Sequence, residues 1–184
     1  MSARRSPSRR KLGQRAHELG VAEPFVEYLR SVEGSTVGEL RVGEDRDDPD
    51  FLCVVDGAAR GIEIVDVPMS DEDARALWTA GEAALYDDVR GPIPSVGPAP
   101  ELLDHPSGDP LVAAMEATMR ATIKAYAVQT WLLLNAGGVL WPVHDERDGP
   151  RVVAQLTKPA AFRYLDVFVC LKGQSGTSHF FRVP

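Results

Sequence analysis

Apolar residues recur at helical spacing over Lys11–Leu19 and again over Glu23–Val32, where Phe25, Leu29 and Val32 share one stripe. Gly20, between the two runs, reads as a C-terminal stop, so two short helices are expected. Thr36–Val42 has the character of a first strand, and the acidic run Gly43–Asp48 reads as the loop that leaves it. Phe51–Val55 is a short apolar run, Asp56-Gly57 through Gly61 is turn chemistry, and Ile62–Val67 resumes a β-branched pattern, which together predict a β-hairpin. Ser70-Asp71-Glu72-Asp73 offers an N-cap and a first turn of acids that suit a helix dipole, predicting a helix to about Tyr86. Residues 87–110, rich in Pro, Gly and Asp, read as a long irregular connection. Asp109-Pro110 opens what is predicted to be the longest helix, running to Val128 with Leu111, Met115, Met119 and Tyr126 on one face. Thr130–Asn135 and Leu165–Leu171 are nearly continuous apolar strands, Val152–Leu156 is a strand or a short helix, and His179–Val183 is an edge strand. Strands that alternate with helices, some of them apolar throughout, predict an α/β fold: a three-layer α/β/α domain around a mixed central sheet.

The length of 184 residues suits one domain with a substantial core, here placed at residues 16–184. A hydrophobic content of 44% with 26% charged residues belongs to a soluble globular chain. The longest apolar stretch, Trp131–Leu134 continuing to Trp141, is too short to cross a bilayer, and no signal-peptide pattern opens the chain. A cytoplasmic protein without a membrane partner is therefore expected. Cys53 and Cys170 lie in apolar β-like runs and read as reduced core thiols.

Charge changes this picture at one end. Arg4, Arg5, Arg9, Arg10, Lys11 and Arg15 give the first fifteen residues +6 with no acid among them, so the other 14 basic residues face all 27 acids, a body of −13. The basic segment, residues 1–15, reads as a flexible tail that could also serve as an arm for a phosphate backbone. An acidic body works against a polyanionic substrate unless its acids gather where a cation sits.

The candidate chemistry lies in the hairpin. Asp50 stands at the mouth of its first strand, and Glu63 lies inside its second between Ile62 and Ile64. A carboxylate in such a position is costly to bury unless it is paired or bound to a cation, and two on adjacent strands suit a hard divalent ion such as Mg²⁺ or Mn²⁺. The run Pro49-Asp50-Phe51, a hairpin, and then Gly61-Ile62-Glu63-Ile64-Val65-Asp66 resembles the active-site hairpin of the PD-(D/E)XK, restriction-endonuclease-like superfamily. That resemblance implies a restriction-endonuclease-like α/β core and Mg²⁺-dependent cleavage of phosphodiester bonds, with DNA as the more common substrate of the superfamily. It also implies Asp50 and Glu63 as metal ligands, joined by the backbone carbonyl of Ile64. The superfamily's lysine belongs two residues after the glutamate, where this chain has Val65. Lys124-Ala-Tyr126 resembles the Lys-x-Tyr found near the end of a later helix in members that relocate that lysine, which makes Lys124 the candidate third catalytic residue. On a helix reaching Val128, however, Lys124 would point about 160° from the Met115–Met119 face, beside Arg120, and a solvated Glu116–Arg120 pair is expected there. The resemblance also favours an acid on the first helix; Glu27, off the apolar stripe, reads instead as part of a solvated face.

Other motifs carry less. Gly173-Gln174-Ser175-Gly176 lacks the spacing of a nucleophile elbow, Lys172-Gly173 is no phosphate loop, and the four histidines show no metal-ligand spacing. His144-Asp145-Glu146 reads as a surface turn. Two functions follow from the sequence: a metal-dependent nuclease acting at Asp50, Glu63 and Lys124, or a catalytically inactive protein on the same scaffold that serves as a binding or accessory subunit. The nuclease reading expects nucleic acid as partner, with a protein partner or a homodimer also compatible. The inactive reading expects the hairpin carboxylates to be salt-bridged, with Arg60 or Arg90 as the candidate cations, or plugged by side chains.

Overall fold

The computed structural model describes residues 9–44, 47–68, 109–122, 124–136, 149–172 and 176–184. The expected helix over Ser70–Tyr86, residues 87–108 of the irregular connection and the His144 turn lie outside them. In chain order the elements are α1 (Arg9–Ser31), β1 (Arg41–Val42), β2 (Phe51–Val55), β3 (Ala58–Asp66), α2 (Pro110–Ala121), β4 (Gln129–Asn135), α3 (Gly149–Val153), β5 (Val167–Lys172) and β6 (Ser178–Arg182). The strands form one open mixed sheet in the order β1-β2-β3-β4-β5-β6. The three central strands β3, β4 and β5 run parallel, and the flanking pairs are antiparallel. The chain is thus an α/β protein with a mixed sheet.

Side-chain alternation along each strand divides the core into two layers. On one face Ile62, Ile64, Trp131, Leu133, Phe168, Cys170 and Phe180 meet Val21, Ala22, Phe25, Val26 and Leu29 of α1. On the other, Leu132, Leu134, Val167, Val169 and Leu171 meet Leu111, Met115 and Met119 of α2, with Val152 and Val153 of α3. Six of the seven residues of β4 are buried, as expected of a parallel strand covered on both faces. Both cysteines are buried free thiols, and burial pushes the Cys170 thiol up to about 11. No helix among the described residues is long and apolar enough to cross a membrane.

Three local expectations change. The two predicted N-terminal helices are one: α1 starts at Arg9, inside the segment expected to be a flexible tail, and runs unbroken through Gly20 and Pro24. Pro24 removes the amide that would bond the Gly20 carbonyl, so propensity favours a break there. Burial of Val21, Ala22, Phe25 and Val26 on the sheet overrides it. A Cβ added at Gly20 would meet nothing within 4 Å, so Gly20→Ala should stabilise the protein by about 0.5–1 kcal/mol, measured as a rise in the urea midpoint at unchanged slope. Second, the hairpin turn is tighter than its small residues suggest. Asp56 (φ 50°) and Gly57 (φ 80°) form a two-residue turn with both residues in the left-handed region, and pairing resumes at once with Val55 opposite Ala58. Third, α2 ends at Ala121, with the Thr122 amide donating to the Thr118 carbonyl. It is therefore shorter than predicted, α1 is longer, and the described residues from Lys124 on leave the helical wheel.

Candidate metal site on the hairpin

The hairpin register brings the two sequence-predicted carboxylates together. Phe51 pairs with Ile62, so Asp50 stands one step beyond the paired segment, beside Glu63. Glycine is required just below. A Cβ at Gly61 would come within 2.6 Å of the Pro49 ring and 2.5 Å of Thr130 Oγ1, and this close approach lets Pro49 deliver Asp50 to the strand. The Ile64 amide donates to Asp50 Oδ2 at 2.8 Å. In an extended strand the N–H and C=O of one residue face the same edge, so the Ile64 carbonyl also turns toward Asp50. Asp50 and Glu63 thus stand side by side, with Asp50 bonded to the Ile64 backbone.

Lys124 corrects the helical-wheel expectation. Because α2 has already ended, Lys124 lies on the segment between α2 and β4, and its ammonium donates to Glu63 Oε1. The pair is asymmetric: the Glu63 side chain is 3% exposed and that of Lys124 57%. The expected Glu116–Arg120 pair does form, at 3.3 Å, but not on a solvated face: Glu116 is buried and also accepts from the Thr157 amide. Val65 shares the strand face of Glu63 but packs against the apolar layer under α2, so the lysine at this site comes from another part of the chain. Arg60 donates to its neighbour's carbonyl, at Ala59, and does not bridge the carboxylates; Arg90 lies outside the described residues. Behind Glu63, the Tyr126 and Tyr164 hydroxyls are buried without a hydrogen bond of normal geometry. Burial, and then the adjacent Glu63 carboxylate, raise both phenols far above their ordinary range.

The open side is a cavity of about 240 Å³ lined by Gln14, Arg15, Glu18, Val42, Gly43, Asp48, Pro49, Asp50, Glu63 and Lys124. Glu18, missed by the sequence analysis, is the acid that α1 brings here; Glu27 is on the surface beside Arg30, as expected. Gln14 donates to Glu18 at 2.7 Å. Burial raises the Glu18 carboxyl, and Asp66 and Glu63 add to the effect. Burial also pushes Asp50 up to about 7, reinforced by the Glu63 carboxylate and offset in part by the Ile64 amide and Lys124. Acids held this close in a half-dry pocket favour either a proton or a cation. Among the described residues no group of three or more His, Cys, Asp or Glu side chains is arranged to share an ion. Asp50 and Glu63, with the Ile64 carbonyl that the resemblance implies, would offer two carboxylates and a carbonyl, a set suited to Mg²⁺, an ion that keeps several waters and uses one or two carboxylates. It does not fit a metal that needs a complete protein cage.

A second polar cluster closes the parallel strands, and no sequence motif announced it. Asp66 and Asn135 end β3 and β4 as register partners. Asn135 Nδ2 donates to Asp66 Oδ1 at 2.6 Å, and His17 Nε2 of α1 lies 2.9 Å from the same oxygen. The hydrogen bond to Asp66 raises the His17 imidazole above its usual value. This cluster ties α1 to the ends of the strands and so fixes Glu18, the next residue, over the cavity.

Among known proteins, no protein-family model matches the chain, and no curated protein or solved structure is significantly similar to it.

Proposed function

We propose that this α/β protein is a divalent-cation-dependent phosphodiesterase acting on nucleic acid, DNA before RNA, on a restriction-endonuclease-like core. One observation carries the reading: Asp50 and Glu63 line one cavity, the Ile64 amide holds Asp50 against the strand, and a lysine absent from the strand position reaches Glu63 from the segment after α2. Asp50, Glu63 and the Ile64 carbonyl would hold Mg²⁺ or Mn²⁺. When bound, that ion supplies Lewis-acid activation of a phosphate oxygen and a more acidic water. Glu63, and Asp50 where it is ionised, contribute negative charge in a partly dry pocket, where electrostatic effects are larger than in water. Lys124 contributes the only cationic side chain in contact with Glu63 among the described residues, close enough to neutralise charge that develops on a bound phosphate. The basic N-terminal segment would hold the polyanion loosely, compensating for the acidic body. Purified protein should nick supercoiled plasmid only with Mg²⁺ or Mn²⁺, and Glu63→Ala should lower the rate by about 10²–10³-fold.

The Lys124–Glu63 ion pair itself favours a second reading. An internally neutralised carboxylate is what a non-catalytic, partner-binding protein on this scaffold would have. Metal-independent behaviour of the wild type, together with unchanged partner binding in Glu63→Ala, would select that reading.

A further inference from the structure

Resting on the metal reading above, we propose that the Lys124 ammonium and a divalent cation compete for Glu63, so that cation loading is an exchange in which Lys124 leaves the carboxylate. Three observations lead to this. The lysine is not carried on β3, where the strand would fix it; it reaches Glu63 from the segment beyond the Thr122 cap. Its side chain is more than half exposed while Glu63 is almost wholly buried, so the ammonium can turn to water at small cost but the carboxylate cannot. Glu63 and Lys124 border the same cavity as Asp50, so an ion bridging the two carboxylates approaches Glu63 from the side that Lys124 occupies. A buried carboxylate that stays ionised needs a counter-charge, and Lys124 holds that place until a stronger one arrives. The consequence is a threshold: cation affinity is set below what the two carboxylates and the carbonyl would give alone, and Lys124 is released at the moment of loading to face the bound phosphate.

The test pairs calorimetry with lysine labelling on the full chain. Lys124→Gln and Lys124→Met should each bind Mn²⁺ roughly tenfold tighter than wild type, a coupling of ordinary size for two ligands sharing a site. The Gln variant keeps a donor for Glu63 in case the Met variant folds poorly. The chain has four lysines, Lys11, Lys124, Lys158 and Lys172. Lys158 is held by Asp166 at 2.9 Å, lines no part of this cavity, and serves as the internal reference. In wild type, Mn²⁺ should raise the acylation rate of Lys124 relative to Lys158 several-fold, since an amine freed from a carboxylate reacts faster. Equal Mn²⁺ affinity in wild type and variants would overturn the exchange. So would tighter binding with unchanged Lys124 labelling, which would leave only a long-range charge effect. No Mn²⁺ binding by any of the three proteins would instead defeat the metal reading on which the exchange rests.

Discussion

Asp50→Asn should make the protein more stable above pH 7 while removing its divalent-cation binding. In the folded chain the Asp50 carboxyl titrates at about 7 rather than 3.8, chiefly through burial and then through Glu63. A group that holds its proton more tightly when folded favours the folded state at low pH, and that advantage is lost as pH rises from about 4 through 7. Asparagine keeps the acceptor for the Ile64 amide and carries no charge, so the variant escapes this loss. The gain should be on the order of 2 kcal/mol at pH 8 and close to nil at pH 4, after allowance for the solvent that still reaches the site. Urea unfolding of both proteins at the two pH values measures it. A variant less stable than wild type at pH 8 would show that Asp50 is not held in a costly state. Stability lost to hold two acids together is the usual mark of a functional site. The same raised carboxyl predicts that cation binding strengthens as pH rises through 7 and releases a proton.

The second large effect is an asymmetry across one ion pair. Lys124→Met should cost about 3 kcal/mol without added cation, because it strands a carboxylate that is 3% exposed beside a second acid. Glu63→Gln should cost about 1 kcal/mol at most, since the lysine left behind is 57% exposed and can turn to water. Denaturant melts at pH 8 decide the matter, and equal costs in the two variants would mean that the pair is a surface contact of little weight. Excess Mg²⁺ should recover much of the loss in Lys124→Met by supplying another counter-charge.

The hairpin was legible in the sequence because its signals are local: alternation in the strands, an Asp-Gly turn, and a glutamate where an apolar residue belongs. The mixed sheet was legible in kind from the alternation of strands and helices. What the sequence obscured depended on where helices end. With α2 extended to Val128, Lys124 turned away from the site; with its end at Ala121, Lys124 reaches Glu63. The break expected at Gly20 hid Glu18 in the same way. On a continuous α1, Glu18 lies three, four and seven residues before Val21, Ala22 and Phe25, on the stripe that faces the sheet, whereas Glu27 lies off it. Tertiary burial decided the course of α1 against local propensity. The Asp66–Asn135–His17 cluster was invisible for a different reason: parallel pairing joins residues far apart in the chain, and nothing in either strand sets its register.

The central claim is that Asp50 and Glu63 hold a divalent cation, and calorimetric titration of Mg²⁺ or Mn²⁺ into wild type and Glu63→Ala tests it most directly. Saturable binding by the wild type at pH 8, lost in the variant while its fold is retained, is the predicted result. A wild type that binds neither ion, or a variant that binds as well as the wild type, would contradict it and leave the hairpin carboxylates as structural partners of Lys124 and the Ile64 amide.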